Sequence, residues 1–168
     1  GGDTCGEALR HRLQCFDTAR MTVHGLRQLD RPGILLLRFP GEAPRHALVT
    51  AMDAETATLQ ANGQRWRVPL TALADLWRGD YATLWRQPEG AQGRITQHTR
   101  GVVREWLAGQ LAALQSGGKI PAQADGFEAQ LAAFQAAQGL ETDGLAGAMT
   151  FMQVNLAVGV DEPRLSRP

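Results

Sequence analysis

"FQAAQGLETDGLAGAMTFMQVNL", from Phe134 to Leu156, joins two helical runs through a corner rich in Asp and Gly. Its front half closes the longer run "FEAQLAAFQAAQGL", in which Phe127, Leu131 and Phe134 recur at helical spacing and share one face. Gly139 predicts the stop, because glycine accepts the left-handed conformation that ends a helix. Asp143-Gly144 predicts a tight turn, the Asp side chain bonding nearby backbone and the Gly supplying positive φ. Gly147 is placed for close backbone approach, and Thr150 is placed to N-cap the last helix. The corner carries no nucleophile, so its reading is structural.

Outward from that corner the chain changes character. "TRGVVREWLAGQLAALQ" reads as an amphipathic helix carrying Val103, Trp106, Leu107, Leu111 and Leu114. Residues 88–93, "PEGAQG", read as a linker. Before the linker, strands are expected at Ile34–Phe39, His46–Met52, Ala57–Ala61, "RWRVPL" and Tyr81–Arg86, with Asn62-Gly63 as a hairpin turn. "PLTALADLWRG" reads as a helix ended by Gly79. "TVHGLRQL" reads as a helical turn capped by Thr22, and "CGEALRHRLQCF" as a helix on the spacing of Ala8, Leu9, Leu13 and Phe16. The expected class is α+β: an antiparallel-sheet domain over 1–88, then an all-α three-helix domain over 93–160.

Composition narrows the function. The chain has 168 residues, 43% of them hydrophobic, and its 17 Lys plus Arg balance 17 Asp plus Glu. Zero net charge argues against a nucleic-acid binder, which carries a basic excess. No apolar run approaches the roughly 20 residues of a membrane span, so this fragment is not expected to insert into a membrane. The opening Gly-Gly fits a chain cut from a longer one, with any targeting segment upstream. Cys5 and Cys15 are open between a local disulfide and two buried thiols. His11, His24, His46 and His98 are dispersed, and no phosphate loop, HExxH pair or calcium-loop spacing occurs, so neither metal nor cofactor is expected. Trp66, Trp77, Trp85 and Trp106 read mostly as core, and an exposed one could stack on a sugar.

The quoted stretch resembles the peptidoglycan-binding domain family. Phe134-Gln135, Gly139-Leu140, Asp143-Gly144-Leu145, Gly147 and Thr150 carry the likeness, and Met149 departs from it where a polar residue is common. The resemblance implies a three-helix module and makes Gln135, Asp143 and Thr150 candidate ligand contacts. Arg100 and Arg104 join them because guanidinium pairs with carboxylate in a bidentate way, although both also read as a solvated helix face.

Residues 31–86 resemble the later half of the bacteriocin-processing cysteine peptidases (peptidase family C39). His46 takes the place of the catalytic His, and Asn62 stands where that family usually has Asp. Too little chain separates Cys5 from His46 for the helix that bears the nucleophile, and no oxyanion glutamine is visible upstream. His46 and Asn62 therefore read as degenerate remnants, with a Cys5-His46-Asn62 peptidase as the alternative.

The order of the two parts is similar to the periplasmic C-terminal region of the general secretion pathway protein A family, inner-membrane ATPases that assist type II secretion. That resemblance implies periplasmic exposure, favours a Cys5–Cys15 disulfide, and makes peptidoglycan, a B subunit of the same pathway and further copies of the chain the expected partners. It implies no catalysis. A protein-interaction module that has lost glycan binding is the other alternative.

Overall fold

The computed structural model describes residues 13–88, 95–96 and 98–165. They divide into two compact units: one runs to Trp85 and is rejoined at Glu162, and the other is Arg86–Asp161. The first is built on a sheet and the second on helices, so the chain is α+β.

In the sheet unit the elements are β1 (Leu13–Thr18), α1 (Val23–Leu29), β2 (Gly33–Leu37), β3 (Arg45–Met52), β4 (Thr56–Ala61), β5 (Gln64–Pro69), α2 (Leu70–Leu76) and β6 (Trp77–Arg86). The strands form one six-stranded sheet in the order β1-β6-β2-β3-β4-β5. Ladders β2–β3, β2–β6, β3–β4 and β4–β5 are all antiparallel. Asn62 and Gly63 both take positive φ, 51° and 74°, and close the β4–β5 hairpin as their type predicts. Along β6 the side chains alternate as expected, with Tyr81, Thr83 and Trp85 buried. Leu35, Leu37, Val49 and Leu59 share the core with Leu26 and Leu29 of α1 and Leu73 of α2.

Two expectations fail here. Residues 13–16, read as part of a helix, are the start of strand β1. The i, i+3 spacing of Leu13 and Phe16 satisfies a helical template, but pairing with β6 decides their state, and a six-residue edge strand carries too short a pattern to announce that. Residues 5–12 of the same segment lie outside the described residues. Helix α2 also stops earlier than Gly79. Leu76 is its last residue, and Gly79 stands inside β6 at φ 110°, where a Cβ would lie 2.8 Å from the Ala19 carbonyl oxygen.

Two polar clusters fix the unit. Asp53, between β3 and β4, accepts from the Glu55 and Thr56 backbone N–H groups at 2.8 and 2.6 Å and from Arg67 at 2.9 Å. Those backbone hydrogen bonds, with Arg67 behind them, hold its carboxyl well below the usual carboxylate range. Deeper in, Arg31 grips both carboxylate oxygens of Glu162 at 2.9 and 2.7 Å and donates to the Leu84 carbonyl at 2.9 Å. The two side chains are 5% and 6% exposed. Tyr81 donates to the Arg31 carbonyl at 3.0 Å, and burial pushes its phenol up to about 12.

The helical unit contains α3 (Val102–Ser116), α4 (Gly126–Ala137) and α5 (Ala148–Val158). Leu107, Leu111, Leu131, Phe134, Phe151 and Met152 are buried between them. Gly139, at φ 70°, ends α4 as expected: its N–H bonds to Ala136 O at 3.1 Å, and that of Leu140 to Gln135 O at 2.9 Å. This is a Schellman closure, which satisfies carbonyls that the helix end would orphan. Thr150 does not cap α5. The cap is Gly147, and Thr150 lies within the first turn, buried, where its Oγ1 accepts from Gln135 Nε2 at 3.2 Å.

Candidate functional site

The helical unit gathers its candidate residues through a short backbone clip. Ile95 and Ala146 exchange two hydrogen bonds, 3.0 and 2.7 Å, as an isolated antiparallel bridge. The bridge ties the segment preceding α3 to the corner that holds Asp143. Asp143 Oδ1 accepts from the Leu145 N–H at 3.0 Å, and Gly144 takes φ 75°, so the predicted turn is present. On the other side, Thr99 Oγ1 accepts from the Thr96 N–H at 2.9 Å and Thr96 Oγ1 from the His98 N–H at 3.1 Å. These bonds hold His98 at the head of α3.

A groove of about 250 Å³ results, with Phe127, Leu131 and Leu145 as its apolar part and Asp143, Glu128 and His98 as polar ones. His98 also lines a second, more polar depression of about 500 Å³ with Arg100, Arg104 and Glu105. The two recesses therefore meet at one side chain. The Arg104 guanidinium lies 4.0 Å from the centroid of the Phe127 ring, a cation–π contact that fixes where the charge sits. Gly101 caps α3 without any side-chain hydrogen bond, leaving the first N–H groups of a 15-residue helix without a side-chain partner. Cations beside an uncapped helix start favour a carboxylate, while the apolar strip suits the carbon framework of the same ligand.

Of the predicted ligand contacts, Arg100, Arg104 and Asp143 come together on these recesses. Gln135 and Thr150 do not. Both are buried, and Gln135 Nε2 donates to Leu145 O at 3.0 Å as well as to Thr150, so the pair braces the corner from beneath. Thr96 and Glu128 also line the groove without having been singled out, Phe127 had been read as part of an apolar helix face and His98 as one of four dispersed histidines. A bridge of one residue pair leaves no periodic pattern, and that bridge brings the segment of Thr96 and His98 to the corner.

His46 opens β3 on the exposed side of the sheet, and Asn62 occupies the hairpin turn beyond β4. The Leu48–Gln60 pairing, continued two residues along each strand, carries His46 toward Asn62. Among the described residues neither side chain makes a hydrogen bond to the other. Cys15 is disulfide-bonded; Cys5, its expected partner and the candidate nucleophile, lies outside the described residues. Trp66, on edge strand β5, is 37% exposed, whereas Trp77 and Trp85 are buried. No helix among the described residues is long and apolar enough to cross a membrane.

No protein-family model matches the chain. Over 164 residues it is 30% identical to general secretion pathway protein A of Aeromonas hydrophila. The match takes in 96% of this chain but 30% of that relative's length. Among solved structures, a periplasmic domain of the EpsAB fusion protein of the Vibrio vulnificus type II secretion system shares the fold, with a TM-score of 0.55 and 24% identity. That likeness covers 90% of this chain and 68% of the other. Both likenesses run across the sheet unit and the helical unit together.

Proposed function

We propose that this chain is a non-catalytic periplasmic module that binds peptidoglycan and supports assembly of the type II secretion secretin through the cell wall. The observation that carries the reading is the likeness to general secretion pathway protein A along 96% of the chain. The helical unit is the wall-binding part, resembling the peptidoglycan-binding domain family at its Asp143-Gly144 corner. Arg100 and Arg104 engage carboxylates of muropeptides, and Phe127, Leu131 and Leu145 take the apolar side of the ligand. A B subunit of the same pathway and further copies of this chain are its partners.

Catalysis has little support from the sheet unit. His46 is exposed and its side chain makes no hydrogen bond to Asn62 among the described residues, whereas a catalytic imidazole is oriented by such a partner. The chain holds two cysteines, and Cys15 is engaged in a disulfide.

Co-sedimentation with purified sacculi tests the reading. The whole chain is the right reagent, because a truncation at the linker would remove Glu162 from beneath Arg31. The chain is expected to pellet, and the R100A/R104A double variant to lose about ten-fold in bound fraction at low salt. A wild-type chain left in the supernatant would sink the wall-binding reading and favour a module that contacts proteins alone.

A further inference from the structure

The sheet has two faces, and they differ in chemistry. Leu35, Leu37, Val49, Tyr81 and Trp85 point into the core. The opposite face presents Ile34, Leu48 and Leu84, which are 46%, 36% and 37% exposed. Ile34 lies directly across from Leu48 on β3 and from Ala82 on β6, so apolar side chains run unbroken over three neighbouring strands. Strands sit roughly 4.8 Å apart, which makes this band about 10 Å wide, close to the diameter of one α-helix with its side chains. Contiguous exposed apolar surface on a soluble domain marks a contact for another molecule.

The same face carries charge at one rim. An open depression of about 570 Å³ is floored by Ile34, Leu36 and Ala82 and edged by Asp17, Asp80 and His46. Asp17 is exposed and its carboxylate makes no hydrogen bond or ion pair among the described residues. Asp80 meets Arg38 at 3.9 Å, with both side chains about a third exposed, a pair that contributes little and leaves the carboxylate accessible. Two weakly engaged carboxylates beside an apolar floor are complementary to a cation carried on an apolar segment.

We infer that this face docks an amphipathic helix of a partner protein, aliphatic on one side and carrying lysine or arginine along the flank that meets Asp17 and Asp80. A second copy of the chain is the poorer occupant, because the same face turned on itself answers carboxylate with carboxylate. This face belongs to the sheet unit and the proposed wall-binding recesses to the helical unit, so the outcome of a sacculus assay does not bear on it.

The test is a titration of the isotope-labelled whole chain with a synthetic helix whose leucine stripe is flanked by lysines, set against its glutamate-flanked counterpart. The lysine peptide is expected to shift the backbone amides of Ile34, Leu48 and Ala82 and to bind about ten-fold more tightly than the glutamate peptide. Ile34→Glu removes the apolar contact and Asp17→Asn with Asp80→Asn removes the charge; each is expected to weaken the lysine peptide about ten-fold. The Asn pair changes no core residue, so it stands if Ile34→Glu disturbs the sheet. Equal binding of the two peptides overturns the proposal, as do shifts that fall outside the sheet face or their absence up to about 1 mM peptide. A dimer in sedimentation that Ile34→Glu dissociates overturns it in favour of a second copy.

Discussion

The helical unit and the sheet unit bury polar groups in opposite ways. Beneath its corner, the helical unit places a neutral amide, Gln135, against Thr150 and the Leu145 carbonyl, partners 15 and 10 residues away. The sheet unit buries a full ion pair whose members, Arg31 and Glu162, are 131 residues apart. A neutral hydrogen bond is modest whether made or lost, whereas a buried ion pair is tolerable only while both charges are present. The helical corner is thus secured by near neighbours, and the sheet unit by a residue that follows the whole helical unit in sequence.

The comparison breaks hardest at Glu162. Glu162→Ala leaves Arg31 charged and buried, and we expect about 3–5 kcal/mol of destabilisation in urea unfolding, confined to the sheet unit. An Arg31→Met, Glu162→Leu double variant should recover most of it, since no unpaired charge remains. If the double variant is as unstable as the single one, packing of the returning segment matters more than its charge. At the helical corner, Gln135→Leu should cost less, about 1–3 kcal/mol, by leaving the Leu145 carbonyl unpaired, and should leave the sheet unit's transition unmoved.

The smallest effect is a pH dependence. Tyr81 in the folded chain ionises near 12 rather than 10, so the unfolded chain gives up its proton first. Its contribution to stability is complete below pH 10 and is lost as pH rises toward about 12. Tyr81→Phe should flatten that alkaline slope in a thermal melt series while costing about 1 kcal/mol at neutral pH. A slope unchanged in the variant would place the alkaline sensitivity elsewhere.

These contrasts also mark what the sequence discloses. The Asn62-Gly63 hairpin, the cap at Thr22, the stop at Gly139 and the turn at Asp143-Gly144 were legible because each depends on backbone preferences a few residues wide. The alternation of Tyr81, Thr83 and Trp85 was legible because one face of β6 is dry. Strand β1 was not, since its partner β6 begins about sixty residues later and its own pattern suits a helix equally well. For the candidate recesses, Arg100 and Arg104 were proposed from residue type and Asp143 from the family resemblance, while His98 reaches the corner through the segment held by the Ile95–Ala146 bridge. Gln135 and Thr150 were read as candidate ligand contacts, and the structure buries both. Their polar atoms face each other across the interior, and only packing reveals that.

The return of the chain at Glu162 has a consequence for the order of synthesis. A ribosome makes residues in sequence, at roughly 5–20 per second, and domains ordinarily fold as they emerge. Here the carboxylate that neutralises Arg31 is released only after every residue of the helical unit has been made. The sheet unit therefore cannot complete its buried ion pair until the helical unit has been synthesised.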